Sequence, residues 1–283
     1  MAGSTIEDDG AISVRNVWKE FGDQIVLEDI SIEIAPRAFV ALVGPSGCGK
    51  TTFLRMLLSQ EKPTRGEILV GGRPLAPEPG SDRGVVFQRY SVFPHLTAVG
   101  NVMLGREFQT GGFFARLFGA ARQQAREDAM ALLAEVGLAG QEDKYPAQLS
   151  GGMQQRLALA QALMQKPKIL LLDEPFGALD PGIRADIHAL MRRIWNTCDL
   201  TVVMVTHDLP EAFGLGTRVV AFERPRDRPE ERERYGAKIT RDIDLWPPKT
   251  PGALPGNVVS LRSARDDAAL RPEPSRDDPR ETT

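Results

Sequence analysis

Residues 12 to 34 alternate apolar and polar side chains, most clearly in Ile30-Ser31-Ile32-Glu33-Ile34. A period of two belongs to a strand with one buried face, and it predicts an antiparallel edge sheet. Three later runs, FVALV (39–43), ILLLD (169–173) and TVVMVT (201–206), are continuously apolar and rich in branched residues. Parallel strands covered on both faces have this pattern, so a helix-flanked α/β core is expected. Between the first run and the other two, the period lengthens. Ala125, Ala129, Leu132, Leu133 and Val136 fall at i, i+4, i+7, i+8 and i+11, one face of a helix in an inserted helical region. Ile183, Ile187, Leu190, Met191 and Ile194 form a second such face, on a helix flanking the core. After about residue 222 the chain turns to charge and proline (ERPRDRPEERERYG), and residues 263–283 contain no aromatic side chain. A short extension ending in a disordered tail is expected there, with GAKITRDIDLWPP (236–248) able to add one strand to the core's surface. No repeat of solenoid length is present.

The chain of 283 residues is long enough for one large domain or two modest ones. Its 35 basic and 38 acidic residues leave a net charge of -3, which gives no general attraction toward nucleic acid or anionic lipid. Nucleic acid is therefore not an expected partner. The longest apolar runs are strand-sized, well below the roughly 20 residues of a membrane-spanning helix. MAGSTIEDDGAIS places acidic residues where a secretory leader would carry a basic start, so export is not expected. Two cysteines, Cys48 and Cys198, suggest no disulfide framework and suit a reducing cytosol.

The chemistry begins at GPSGCGKTT, residues 44–52. Gly44-x-x-x-x-Gly49-Lys50-Thr51 follows a buried strand and opens an apolar helical pattern, the context of a phosphate-binding loop. The residues expected around the phosphates are Gly44, Pro45, Ser46, Gly47, Cys48, Gly49, Lys50, Thr51 and Thr52, whose glycines let the backbone N–H groups of the non-proline positions converge on phosphate oxygens. Lys50 neutralises the terminal phosphates and the Thr51 hydroxyl can ligate Mg²⁺. The expected ligand is a nucleotide polyphosphate, ATP, with Mg²⁺. A carboxylate should then end a neighbouring buried strand, and Asp173-Glu174 does so after ILLL. Asp173 would hold Mg²⁺ through water while Glu174 acts as general base on the attacking water. His207, just after the last apolar run, stands where an imidazole could reach the γ-phosphate. Cys48, ringed by amides that seek anions, is expected to have an activated thiol.

Leu149-Ser150-Gly151-Gly152-Met153-Gln154-Gln155-Arg156 strongly resembles the signature of ATP-binding cassette (ABC) ATPases. Residues 12 to about 223 fit that family in order. The features are Phe21, where the family stacks adenine; the loop; Gln88 in VVFQ; the signature; the carboxylate pair; Leu179-Asp180; and His207. The resemblance implies the ABC-ATPase fold: a RecA-like parallel-sheet core, an antiparallel β-subdomain and an inserted α-helical subdomain. The expected limits are 1–223 for the cassette, with core and β-subdomain at about 12–90 and 166–223 and the helical subdomain at about 91–165. Residues 224–283 would be the extension. It also implies a nucleotide sandwich of two copies, in which the loop of one copy and the signature residues Ser150, Gly151 and Gly152 of the other grip the same ATP, with Asp180 a further nucleotide-binding residue. Gln88 joins Thr51 and Asp173 at the metal. Met153 departs from the commoner glutamine, which puts in doubt only a peripheral polar contact.

DEPFGALDP (173–181) and the loop, VFQ and LSGGMQQR together are similar to importer ATPases of the nitrate, sulfonate and taurine class. The resemblance implies a peripheral subunit on the cytoplasmic face of the inner membrane, bound to transmembrane permease subunits and fed indirectly by a solute-binding protein. Tyr90, Val92, Phe93 and Leu96 would lie at the permease groove or simply pack core against insertion. Phe113, Phe114 and Phe118 are expected to be local core. The alternatives are an exporter or lipid-transport cassette, or a soluble ABC ATPase without a transport role.

Overall fold

The computed structural model describes residues 10–87, 92–109, 118–226, 228, 231 and 234–245. In chain order its elements are β1 Ile12–Phe21, β2 Gln24–Ile34, β3 Phe39–Val43, α1 Lys50–Leu57, β4 Arg65–Val70, β5 Arg73–Pro74 and β6 Arg83–Val86. There follow α2 Ala98–Gln109, α3 Gly119–Glu135, α4 Gly151–Leu163, β7 Ile169–Asp173, α5 Pro181–Thr197, β8 Thr201–Val205, α6 Leu209–Leu215, β9 Arg218–Glu223 and β10 Lys238–Asp244.

Two sheets form among the described residues. The alternating N-terminal pattern makes an antiparallel sheet of order β2-β1-β4-β5, and the apolar runs make one of order β10-β9-β3-β8-β7-β6. In the second sheet, β9, β3, β8, β7 and β6 run parallel to one another and β10 is antiparallel at the edge. Why the central runs are apolar throughout is visible in their two-sided packing. Phe39, Ala41 and Val43 of β3 join one core with residues of α2 to α6. Val40 and Leu42 join the other, with α1 and the antiparallel sheet.

This second core fixes α1. An eight-residue helix is below the ~12–15 residues at which helices become stable alone. Phe53, Leu54, Met56 and Leu57 are all but fully buried, and each such burial is worth about 1.5–3 kcal/mol. The helix start, and with it the glycine-rich loop, is thereby held rigidly against the sheet.

The helical faces read from periodicity are the buried ones. Ala125, Ala129, Leu133 and Val136 are buried, as are Ile187, Leu190, Met191 and Ile194. Leu132 and Ile183 are partly buried against the same core. The possible strand within 236–248 forms as β10. Just before it, Glu28 N donates to Ala237 O at 2.9 Å and Ala237 N to Val26 O at 3.0 Å, tying this segment to β2 of the other sheet. At Phe118 the local-core expectation fails: the ring is 76% exposed at the start of α3, because that helix buries its small face, Ala125 and Ala129, further along. Phe113, Phe114 and residues 246–283 lie outside the described residues. No helix among those described is long and apolar enough to cross a membrane.

Candidate functional site

The loop leaves the carboxyl end of β3 and turns into α1 through left-handed backbone at Gly44 (φ 145°), Gly47 (φ 80°) and Gly49 (φ 89°). Two of these glycines are also required by crowding. A Cβ on Gly44 would sit 2.0 Å from the Phe222 carbonyl oxygen, and one on Gly49 would lie 2.7 Å from Leu27 Cδ2. The loop is thus clamped between the end of β9 and the side chains of β2. Pro45, Ser46 and Gly47 are exposed, while Cys48 and Lys50 are buried. The Lys50 ammonium turns back into the loop, donating to Gly44 O at 2.7 Å and Pro45 O at 2.9 Å, with Cys48 Sγ at 3.6 Å. Two main-chain carbonyls and one thiol of a single strand-loop-helix unit therefore hold the cation within the loop.

Thr51 and Thr52 occupy the first turn of α1, half-buried. Thr51 Oγ1 donates to Asp173 Oδ1 at 3.1 Å, joining the loop to the end of β7. Burial pushes the Asp173 pKa above its ordinary value, the neighbouring Glu174 charge adds to the rise, and the Thr51 hydrogen bond, Arg55 and Lys50 act against it. Glu174 has left-handed backbone (φ 45°), and its N–H donates to Val205 O of β8 at 2.9 Å. That turn swings its carboxylate out of the strand line, where Oε2 lies 3.4 Å from His207 Nδ1. The His207 side chain is 61% exposed.

Phe21 ends β1 with its ring 47% exposed, and Lys19 Nζ lies 4.4 Å from the ring centroid. Ser150 caps α4, its Oγ accepting from Met153 N at 3.3 Å. Gly151 is exposed and Gly152 buried. A Cβ on Gly152 would meet Ile183 Cγ2 at 2.4 Å, so this helix start is pressed onto α5. Asp180 is exposed at the N-cap of α5 with no side-chain capping bond. Among the described residues, no hydrogen bond joins Ser150–Gly152 to the loop. Gln88 and Tyr90 lie outside the described residues. The structure therefore brings together the loop, Thr51, Asp173, Glu174 and His207, and it keeps the signature on a separate helix start.

Sequence reasoning missed the polar network beneath His207. Glu211, 5% exposed, accepts a short hydrogen bond from Thr206 Oγ1 and contacts His188 Nε2 at 2.9 Å. Asp208 caps α6 by accepting from Glu211 N at 3.0 Å, and its other oxygen accepts from Arg184 Nη1 at 3.0 Å. Arg184 Nη2 reaches Leu179 O at 3.2 Å. Asp208-x-x-Glu211 is a helix-start pattern and was readable as such; its partners on α5 were not.

A family model described as ABC transporter matches residues 27–177. The chain is similar to an Fe(3+)-ion import ATP-binding protein of Rhizobium meliloti, 42% identical over 77% of this chain and 60% of that protein. It is similar to an aliphatic sulfonates import ATP-binding protein of Paraburkholderia xenovorans, 41% identical over 95% of this chain and 75% of that one. The chain spans about three-fifths of the length of the iron-import relatives it matches. Among solved structures it resembles a dimeric ATP-binding cassette in a post-hydrolysis state bound to ADP and Pi. The TM-score is 0.67 at 31% identity, over 83% of this chain and 98% of that one.

Proposed function

The chain belongs to the ABC transporter family, and from that membership we propose that it is the ATP-hydrolysing, energy-coupling subunit of an importer. The observation that carries the reading is the contiguous set Lys50, Thr51, Asp173, Glu174 and His207, drawn from three parallel strands to one edge of the loop. Ligand sites of α/β sheets lie at this carboxyl edge.

In the proposed reaction, Lys50 and the loop amides hold the β- and γ-phosphates and the Phe21 ring takes the adenine. Glu174 accepts a proton from water, whose oxygen attacks the γ-phosphorus as the bond to the ADP oxygen breaks. His207, beside Glu174, donates to the γ-phosphate. The oxygens of Thr51 and Asp173, 3.1 Å apart, are the hard donors that Mg²⁺ prefers. With Gln88 they would hold it, and Mg²⁺ supplies charge neutralisation between the phosphates. Two copies would complete the site, with Ser150, Gly151, Gly152 and Asp180 of each facing the nucleotide of the other; the similar solved cassette is dimeric.

Partners are proposed on the relatives' names, which are those of import proteins. We assign permease subunits that the cassette contacts from the cytoplasmic face of the membrane, a solute-binding protein upstream, and a sulfonate-like oxyanion as cargo. The sulfonate relative is favoured over iron because its similarity extends over 95% of the chain. Val92, Phe93 and Leu96 fit the permease groove; Phe93 is 37% exposed while Val92 packs inward. We take residues 1–223 as the cassette, with α2 to α4 in its helical subdomain of about 91–165, and residues 224–283 as the extension, whose β10 adds to the core's edge.

The test separates binding from chemistry. Lys50→Ala should abolish ATP binding in equilibrium titration, whereas Glu174→Gln should bind ATP like the wild type and hydrolyse it roughly 10²–10⁴-fold more slowly. Equal loss of binding in both variants contradicts the assignment.

A further inference from the structure

A cavity of about 180 Å³ opens between the outer face of the loop and β2, lined by Gln24, Val26, Pro45, Ser46, Gly47, Cys48 and Arg224. It is smaller than the ~300 Å³ at which pockets begin to take a whole organic ligand, so it suits one part of a larger molecule. Two of its walls identify that part. Gln24 is the register partner of Phe21 across the β1–β2 turn, so one end of the cavity adjoins the exposed ring proposed to stack adenine. The other end is the loop itself. What links a base to a phosphate cradle is a ribose and the phosphate attached to it.

Arg224 supplies the matching charge. β9 pairs in parallel with β3 through Val43 and Ala221, so both chains emerge at the same sheet edge. The Phe222 carbonyl is pressed onto Gly44, which leaves no slack between this chain and the loop. Two residues on, Arg224 Nη2 donates to Ile25 O at 3.0 Å, which holds the guanidinium against β2. That bond uses one of five N–H donors. Among the described residues, no acidic side chain forms an ion pair with Arg224. A partly buried, pre-oriented guanidinium with donors to spare offers its charge and an N–H to a phosphate oxygen.

We propose that Arg224 is a nucleotide-binding residue that contacts the α-phosphate from the side opposite the loop amides. The inference rests on the nucleotide reading of the loop and adds a residue from the chain beyond β9, outside the matched family region. Because the α-phosphate is common to ADP and ATP, both should depend on Arg224 equally.

The experiment is titration of ADP and a non-hydrolysable ATP analogue, each with Mg²⁺, into wild type, Arg224→Ala and Arg224→Lys. Arg224→Ala is expected to weaken both ligands by the same factor, about tenfold, as for one lost charge-assisted hydrogen bond. Arg224→Lys should stay within about threefold of wild type, since a point charge still serves a phosphate. Unchanged affinities in Arg224→Ala overturn the proposal. So does a loss confined to the ATP analogue, which would put the guanidinium on the γ-phosphate. Equal weakening in both variants overturns it too, by tracing the effect to the Ile25 bond and the shape of β2. A wild-type protein that binds neither ligand would instead overturn the reading of the loop, and this inference with it.

Discussion

Asp173 shows how much one position is asked to reconcile. It closes an apolar strand, is buried, and has Glu174 as its neighbour, and burial together with that charge raises its pKa. A raised folded-state pKa means that the native protein binds the proton more tightly than the unfolded chain. The cost of the ionised carboxylate is therefore absent at pH values where both states are protonated. It develops as pH rises through the unfolded value and is complete above the folded one. At neutral pH, Asp173→Asn should raise the Tm of the nucleotide-free protein, and the gain should vanish in acid. Mg²⁺-dependent hydrolysis should fall by roughly 10–100-fold, the usual cost of an altered outer metal contact. Melting curves at two pH values check the first half, and a lower neutral Tm in the variant contradicts it. At this scale the candidates were legible, because Lys50, Thr51 and Asp173 follow from spacing and strand ends. That Lys50 rests on the Gly44 and Pro45 carbonyls was not, since it depends on how the loop folds over its own side chain.

Between elements, the decisive contacts are polar and buried. Glu211 joins α6 to α5 through His188 and to the end of β8 through Thr206, the residue before His207. Glu211→Ala leaves the buried Thr206 hydroxyl and the His188 ring without this acceptor. At about 1–3 kcal/mol for each unsatisfied group, the loss should be about 2–6 kcal/mol of unfolding free energy in urea titration. Glu211→Gln keeps one acceptor oxygen and should lose about half of that. If the network also positions His207, kcat should fall in both variants while KM for ATP changes little; an unaltered kcat would confine Glu211 to stability. The strands of residues 12–34, β3, β7 and β8 and the buried faces of α3 and α5 were readable from period. The exposed Phe118 was misread because local aromatic density carries no information about which side of a helix start faces the core.

For the whole molecule, what matters is that the two glycine-flanked helix starts, those of α1 and α4, sit against different neighbours. α1 begins under the loop, whereas α4 begins on α5 with Gly152 against Ile183 and without a hydrogen bond to the loop among the described residues. If a second copy brings its own Ser150 to the nucleotide, Glu174→Gln with ATP and Mg²⁺ should run at twice the monomer mass in light scattering. Adding Ser150→Arg should return it to the monomer. A double variant that still dimerises contradicts the sandwich.

The sequence by itself determined the central apolar strands, the buried faces of α3 and α5 and the glycine spacing of the loop, because periodicity and glycine backbone freedom act over a few residues. Only the tertiary structure decided which distant groups meet through packing: His188 with Glu211, Arg184 with Asp208, and Arg224 with the Ile25 carbonyl. The strand order β9-β3-β8-β7 is not the chain order, and contacts set by that order depend on packing between surfaces that no local pattern encodes.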